Sequence, residues 1–280
     1  MLSMRWLWMV AFLLAAVAVA FILRPLPPQH WAVYYADKLP PQAFAAYDLL
    51  VFDRDRHPPL APLKAQHKIL LGYLSLGEAE AYRNNFQVLK EQDLLLGTAT
   101  GKNPIIDVRR PEWNAYLLNI IVPSILNQGF DGIMIDTADS LIQLEKNDPL
   151  RYGGLQQAAI ENIKTIRARY PRIKIMLNRG FEMLPELSGI IDMSLAESIC
   201  ANGKTNAASV ALLPDDVYRH YVALLHAARR RSPHLAIYTL DYWPPGDTEG
   251  FKRIYTMQRK QGFIPYVSTP DLQNIVSEPN

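Results

Sequence analysis

Two carboxylates are set apart by the apolar residues that lead up to them. Asp136 closes the run Gly132-Ile133-Met134-Ile135, and Glu197 follows Leu195-Ala196. A short apolar strand that ends in an acid at a turn places that acid on the rim of a sheet. Two such acids facing one another across a sugar-to-sugar link can hydrolyse it. One attacks or stabilises the anomeric carbon, and the other donates a proton to the leaving oxygen. Asp136 is assigned the ionised nucleophile. Glu197, following apolar neighbours, is assigned the acid/base with a raised pKa. The competing role for Asp136 is capping of the next helix, yet Thr137, Asp139 and Ser140 all offer caps of their own. A surface salt bridge is the competing role for Glu197.

Other acids fall at the same kind of position. Asp53 ends an apolar run, Glu78 and Glu80 follow another, and Asp139 and Asp241 do likewise. Tyr35, Tyr73, Tyr82, Tyr242 and Trp243 lie near the same rim, and Asn178 ends a strand of its own. Aromatic faces stack on flat sugar faces, while carboxylates bind hydroxyls or ammonium groups. The expected substrate contacts are therefore Asp53, Tyr73, Glu78, Asp139, Asn178, Asp241 and Tyr242. For Asp53, Glu78, Asp139 and Asp241 structural hydrogen bonding is an equal alternative, as is a turn role for Asn178. Lysines and arginines fall mostly in helices and before strands, so a single acidic mouth is expected.

The elements that must position these residues alternate. Strands are expected at 32–35, 48–53, 68–75, 131–135, 173–178, 190–197, 236–241 and 263–268, with a short extra strand at 105–108. Pro40 and Pro41 open a short helix. Pro111 opens a longer one to about Gln128, kinked at Pro123. Further helices span 153–170, start at Pro214, and run from Thr248 to a stop at Gly262. Residues 81–104 read as less regular, and the polar stretch 201–213 reads as a candidate lid. Strand–helix repetition means a parallel sheet, and eight main strands fit a (β/α)8 TIM-type barrel, whose chemistry sits at the C-terminal strand ends.

Composition narrows the function. The chain has 280 residues, 49% of them hydrophobic, and a net charge of +2. That charge is too small to argue for a nucleic-acid partner. Arg229-Arg230-Arg231 suit the C-terminal end of a helix. One cysteine, Cys200, and six histidines without metal spacing leave no metal site expected, and no cofactor is expected either. Residues 6–23 carry no charge, between Arg5 and Arg24. Ala18-Val19-Ala20 offers a cleavage site, but the apolar run continues past it, which favours an uncleaved anchor over a cut signal peptide. The expected organisation is a signal anchor or signal peptide over 1–24, a Pro-rich linker over 25–31, and the barrel over 32–280. The barrel is expected on the periplasmic or extracellular side, anchored to the inner membrane or secreted.

Four segments together resemble a known family. They are Gly72-Tyr73-Leu74-Ser75-Leu76-Gly77-Glu78-Ala79-Glu80-Ala81-Tyr82-Arg83, the run Gly129 to Asp139, Leu177-Asn178-Arg179-Gly180-Phe181, and Ala196-Glu197-Ser198. The chain resembles glycoside hydrolase family 114, the endo-α-1,4-polygalactosaminidases, and is similar to the hydrolase domains of Pel-type exopolysaccharide machinery. The resemblance implies a barrel that hydrolyses a cationic α-1,4-linked galactosamine polymer with retention, with Asp136 and Glu197 as the catalytic pair. Asp241-Tyr242-Trp243 departs from the family pattern, which has a Glu-Tyr pair near there, so the contact at Asp241 stays open. Two alternatives remain: a non-catalytic polysaccharide-binding barrel of a secretion complex, and a hydrolase of neutral α-galactosides.

Overall fold

Short runs of Val, Ile, Leu and aromatic residues, bounded by turns, fold here as strands buried on both faces. The computed structural model describes residues 26–98, 103–202 and 210–279. The expected anchor, residues 1–24, and residues 203–209 of the candidate lid lie outside the described residues. Among the described residues no helix is long and apolar enough to cross a membrane.

The strands are β1 Trp31–Tyr34, β2 Leu49–Phe52, β3 Ile69–Ser75, β4 Leu95–Thr98, β5 Pro104–Ile106, β6 Gly132–Asp136, β7 Lys174–Asn178, β8 Met193–Glu197, β9 Ala236–Tyr242 and β10 Ile264–Ser268. Eight of them pair in the order β1-β2-β3-β6-β7-β8-β9-β10. Every pairing in that sheet is parallel. The two edges meet: Trp31 Nε1 donates to Ile264 O at 3.0 Å, and the Trp31 ring packs edge-on against Tyr266 at 5.8 Å. The result is a nearly closed (β/α)8 barrel with helices between its strands, as expected.

Differences from the expected elements are local. The extra strand is half of an antiparallel hairpin, β4 with β5. Leu94-Leu95-Leu96 gives too short an apolar run to declare a strand by its period alone. The irregular stretch also contains a helix, Phe86–Glu91. Strand β8 begins at Met193, because residues 187–190 turn, with Ile190 N donating to Leu187 O at 2.9 Å. The kink expected at Pro123 is a wide turn over Leu117–Ile121, where Val122 N reaches back five residues to Leu117 O. Proline lacks the donor for the ordinary bond, and a wide turn is one way of absorbing that loss. This helix lies hard against the sheet. A Cβ on Gly72 would meet Ile125 Cγ2 at 2.5 Å.

The pleat decides which residues reach the mouth. Register aligns Tyr73 with Met134 and Ser75 with Asp136. It aligns Met134 with Met176 and Glu197 with Leu240. Side chains of one parity therefore face the barrel interior together, and the last of each row stands at the C-terminal end.

Candidate active site

Asp136, Asn178 and Glu197 are the last residues of three consecutive barrel strands, β6, β7 and β8. Asn178 sits between the two acids and holds both. Its Nδ2 donates to Asp136 Oδ1 at 2.9 Å and to Glu197 Oε2 at 2.7 Å. Two carboxylate acceptors fix which end of the amide is nitrogen. Laid end to end, bonds of 2.9 and 2.7 Å keep those two oxygens closer than the ~6.5 Å minimum between the carboxyls of inverting glycosidases. The other Glu197 oxygen, Oε1, accepts from the Tyr242 hydroxyl at 2.5 Å.

The local backbone explains how the acids are presented. Thr137, Arg179 and Ser198 each follow one of these three residues, and all three are left-handed, with φ of 63°, 53° and 54°. This turn is uncommon for residues other than glycine. Repeated at three adjacent strand ends, it ends each strand abruptly and leaves its last side chain over the opening. Thr137 is held by side-chain bonds: its Oγ1 meets Ser75 Oγ at 2.9 Å and accepts from Gly77 N at 2.9 Å.

Tyrosines close the ring. Tyr35 and Tyr73 meet edge-on at 5.4 Å. Burial first, then the charges of Asp136, Glu197, Asp53 and Glu80, push the Tyr35 phenol well above its usual range. Burial first, then Asp136 and Glu80, does the same at Tyr73. The opening is thus a region of negative potential. Tyr242 is pushed up by burial and then by Glu197.

Other acids expected at the mouth already have structural partners. Arg83 holds two of them, Asp53 and Glu80. It donates to Asp53 Oδ2 at 2.8 Å, to Asp55 Oδ2 at 2.5 Å, and to Glu80, while its guanidinium lies 5.2 Å from the Tyr73 ring centre. Burial pushes the Asp53 carboxyl up, but Arg83 and the amides of Asp55 and Arg56 outweigh it and hold it below the usual range. Glu78 accepts from Ser140 Oγ at 2.5 Å and Asn103 Nδ2 at 3.1 Å, tying the start of β5 to the barrel. Asp139 pairs with Arg179 at 2.9 Å. Arg179 also donates to the backbone carbonyl of Glu197 at 2.6 Å.

Asp241 does not join the ring. It is fully buried and points outward, between the sheet and the helix Thr248–Lys260. It accepts from Gln258 Nε2 at 2.7 Å, Cys200 N at 2.9 Å and Ala201 N at 3.0 Å. The reason is the pleat: Asp241 and Tyr242 are neighbours on one strand, so only one of them can face the interior. Asp241 supports the turn behind Glu197. The chain beyond that turn is pinched at Asn202 N to Ala211 O, 3.0 Å.

Arg83 and Arg179 are the residues of the candidate site that sequence reasoning passed over. Each carried a signal: Arg83 stands three residues after Glu80, and Arg179 follows Asn178.

Comparison with known proteins gives the family and the fold. The family model for glycoside-hydrolase family GH114 matches residues 15–279. The glycoside hydrolase domain of PelA from Pseudomonas aeruginosa has 28% identity and a TM-score of 0.76, over 90% of this chain and 99% of that one. Ega3 from Aspergillus fumigatus, solved in complex with galactosamine, shares the fold at 15% identity and a TM-score of 0.62, over 91% of this chain and 97% of that one. An uncharacterised protein of Deinococcus radiodurans is 26% identical over 264 residues, 89% of this chain and 82% of that protein. A family match over nearly the whole chain, on a barrel with two carboxylates at its mouth, makes this protein a glycoside hydrolase that belongs to family GH114.

Proposed function

We propose that the protein is a retaining, endo-acting hydrolase of α-1,4-linked galactosamine-containing polysaccharide, with Asp136 as nucleophile and Glu197 as acid/base. One observation carries the reading of the pair: a single amide nitrogen on Asn178 bridges both carboxylates. An approach this close favours the retaining arrangement, in which the two acids flank one anomeric carbon and its leaving oxygen with no water between them. Asp136 attacks the anomeric carbon while Glu197 gives its proton to the departing oxygen, and the glycosidic bond breaks. Water then attacks the glycosyl ester, Glu197 takes the water's proton, and Asp136 leaves as carboxylate. Asn178 and Tyr242 hold Glu197 in register through both steps. A cationic sugar suits the negative potential around Tyr35 and Tyr73, and the similarity to the PelA hydrolase domain favours an exopolysaccharide substrate.

The decisive assay is reducing-end release from an α-1,4-galactosamine polymer. Asp136→Asn and Glu197→Gln are each expected to lose about 10³-fold or more with unchanged circular dichroism. The anomer of the first product, read by NMR, is expected to match the substrate. Full activity in Asp136→Asn would remove it from the mechanism, and wild-type binding without turnover would leave a polysaccharide-binding barrel. The uncharged run 6–23 supports export on the same proposal. Fractionation of the full chain and of a chain beginning at Leu26 tests it: only the full chain is expected in the membrane or exported fraction.

A further inference from the structure

Charge divides between the two ends of the barrel. The acids described above stand at the C-terminal ends of the strands. At the opposite end, the floor, the helices finish and the strands begin. The chain enters there: Pro28 O accepts from the Tyr238 hydroxyl at 3.1 Å, and Trp31 opens β1. Leu26, just ahead, is 84% exposed.

Cations gather at the same end. Arg169 closes the helix Leu155–Arg169, and Arg172 lies in the loop leading into β7. Arg230 and Arg231 close the helix Asp215–Arg231 before β9, and Lys260 closes the helix Thr248–Lys260 before β10. All are exposed, and among the described residues none has a carboxylate within ion-pair distance. The acids of the floor are already taken. Asp131, just before β6, pairs with Lys64. Asp192, just before β8, pairs with Arg167 at 2.6 Å, and Glu278 pairs with Arg259. Helix dipoles favour cations in last turns, but they account neither for Arg172 nor for the lack of acids to match. Strands β7 to β10 are consecutive and β10 meets β1, so the surplus lies on one arc around the point of entry.

Positive charge around the entry of an apolar run suits an anionic lipid surface. Residues 6–23 carry no charge, and only Pro25-Leu26-Pro27 separate Arg24 from Pro28. A stretch that short spans at most about 15 Å even when fully extended. With the run in a bilayer, the floor stays within about two screening lengths of the headgroups, each roughly 8 Å at physiological salt.

We propose that the basic floor of the barrel rests on the anionic phospholipid headgroups of the membrane that holds the chain, so that the acidic mouth opens away from the bilayer. The proposal rests on the anchored form of the export reading above and is independent of the hydrolase chemistry.

Hydrogen exchange of the full chain in nanodiscs, read by mass spectrometry, tests it. One set of discs is phosphatidylcholine alone, and the other contains about one-third phosphatidylglycerol. In the anionic discs the floor segments 170–173, 231–235 and 260–263 are expected to exchange about threefold more slowly or better, with the mouth segment 78–83 unchanged. About 0.5 M sodium chloride is expected to abolish the difference. The combined substitution Arg172→Glu, Arg230→Glu and Lys260→Glu is expected to do the same. Lys38→Glu with Lys90→Glu and Arg219→Glu, at exposed positions away from the floor, changes the charge equally and is expected to keep the difference. Equal exchange in the two lipids, or a difference that salt leaves in place, overturns the docking. Those comparisons use the unaltered chain, so they decide the matter even if a variant misfolds. A full chain that high salt washes from both kinds of disc sinks the anchor instead. The floor is then decided by co-sedimentation of the same chain with vesicles of the two lipids at low salt. Binding only to the phosphatidylglycerol vesicles supports it, and equal binding or none overturns it.

Discussion

Asn178 is asked to do two things with one nitrogen, and both fail together when it is lost. Asn178→Ala leaves two carboxylates facing each other without the donor that holds them. We expect kcat to fall by about 10²-fold with smaller change in KM, and the fold to survive, measured by steady-state kinetics and melting. Asp241 offers a different test, because its effect is on stability. Burial, against the hydrogen bonds from Gln258, Cys200 and Ala201, pushes its carboxyl from 3.8 up to about 6. The fold therefore favours the protonated form. Its contribution is fully present below the unfolded value and is lost as pH rises through about 6, a change on the order of 3 kcal/mol. Asp241→Asn keeps an oxygen for the two amides and removes the charge. The melting temperature of the variant relative to wild type is expected to rise between about pH 4.5 and pH 7.5. A flat difference would mean that Asp241 does not titrate there. The same residue shows where sequence reading stops. Acids at strand ends were legible as a class, and Asp136 with Glu197 follow from it. Whether Asp241 or Tyr242 faces inward depends on the phase of the pleat, which alternating apolar residues do not reveal when both faces are buried.

At the scale of elements, three neighbouring strands end in the same way, on a left-handed residue that is not glycine. Such a residue costs roughly 1–2 kcal/mol. The cost at Ser198 is partly a matter of side chain, so substitution separates it. Ser198→Gly removes the steric penalty and a buried hydroxyl without a partner, and stability is expected to stay within about 1 kcal/mol of wild type. Ser198→Val is expected to lose about 2 kcal/mol or more, because a branched side chain resists this conformation. Chemical denaturation measures both, and equal effects would mean the turn is not strained. The eight barrel strands, their parallel direction and the three longest helices could be read from the sequence, since each carries its own period, whereas Leu60–Lys64 and Ala138–Asn147 were not assigned. The hairpin β4–β5 and the helix Phe86–Glu91 could not. Their apolar runs are too short for a period, and they are fixed by contacts with the barrel such as Ala79 N to Pro104 O, 2.8 Å. The left-handed turns were equally hidden, for Thr, Arg and Ser give no glycine to announce them.

For the whole molecule, charge placement matters more than charge total. The net charge is only +2, so bulk attraction does not gather a cationic polymer. Reading the acids by position suggested one uniformly acidic mouth. The fold instead neutralises the flanks, through Arg83 on one side and Arg179 on the other, and leaves negative potential around Tyr35 and Tyr73. A field confined to an opening acts over a short range and is cut by salt, since the screening length falls from roughly 10 Å at 0.1 M to 3 Å at 1 M. Long cationic chains should feel it during capture more than during chemistry. We therefore expect kcat/KM on the deacetylated polymer to fall about tenfold between roughly 0.05 and 0.5 M sodium chloride, with kcat nearly constant. A fully N-acetylated oligosaccharide should show little salt dependence in either binding or turnover. Parallel slopes for the two ligands would mean that the mouth recognises shape and hydroxyls alone, and that the carboxylates there serve only the bond being broken.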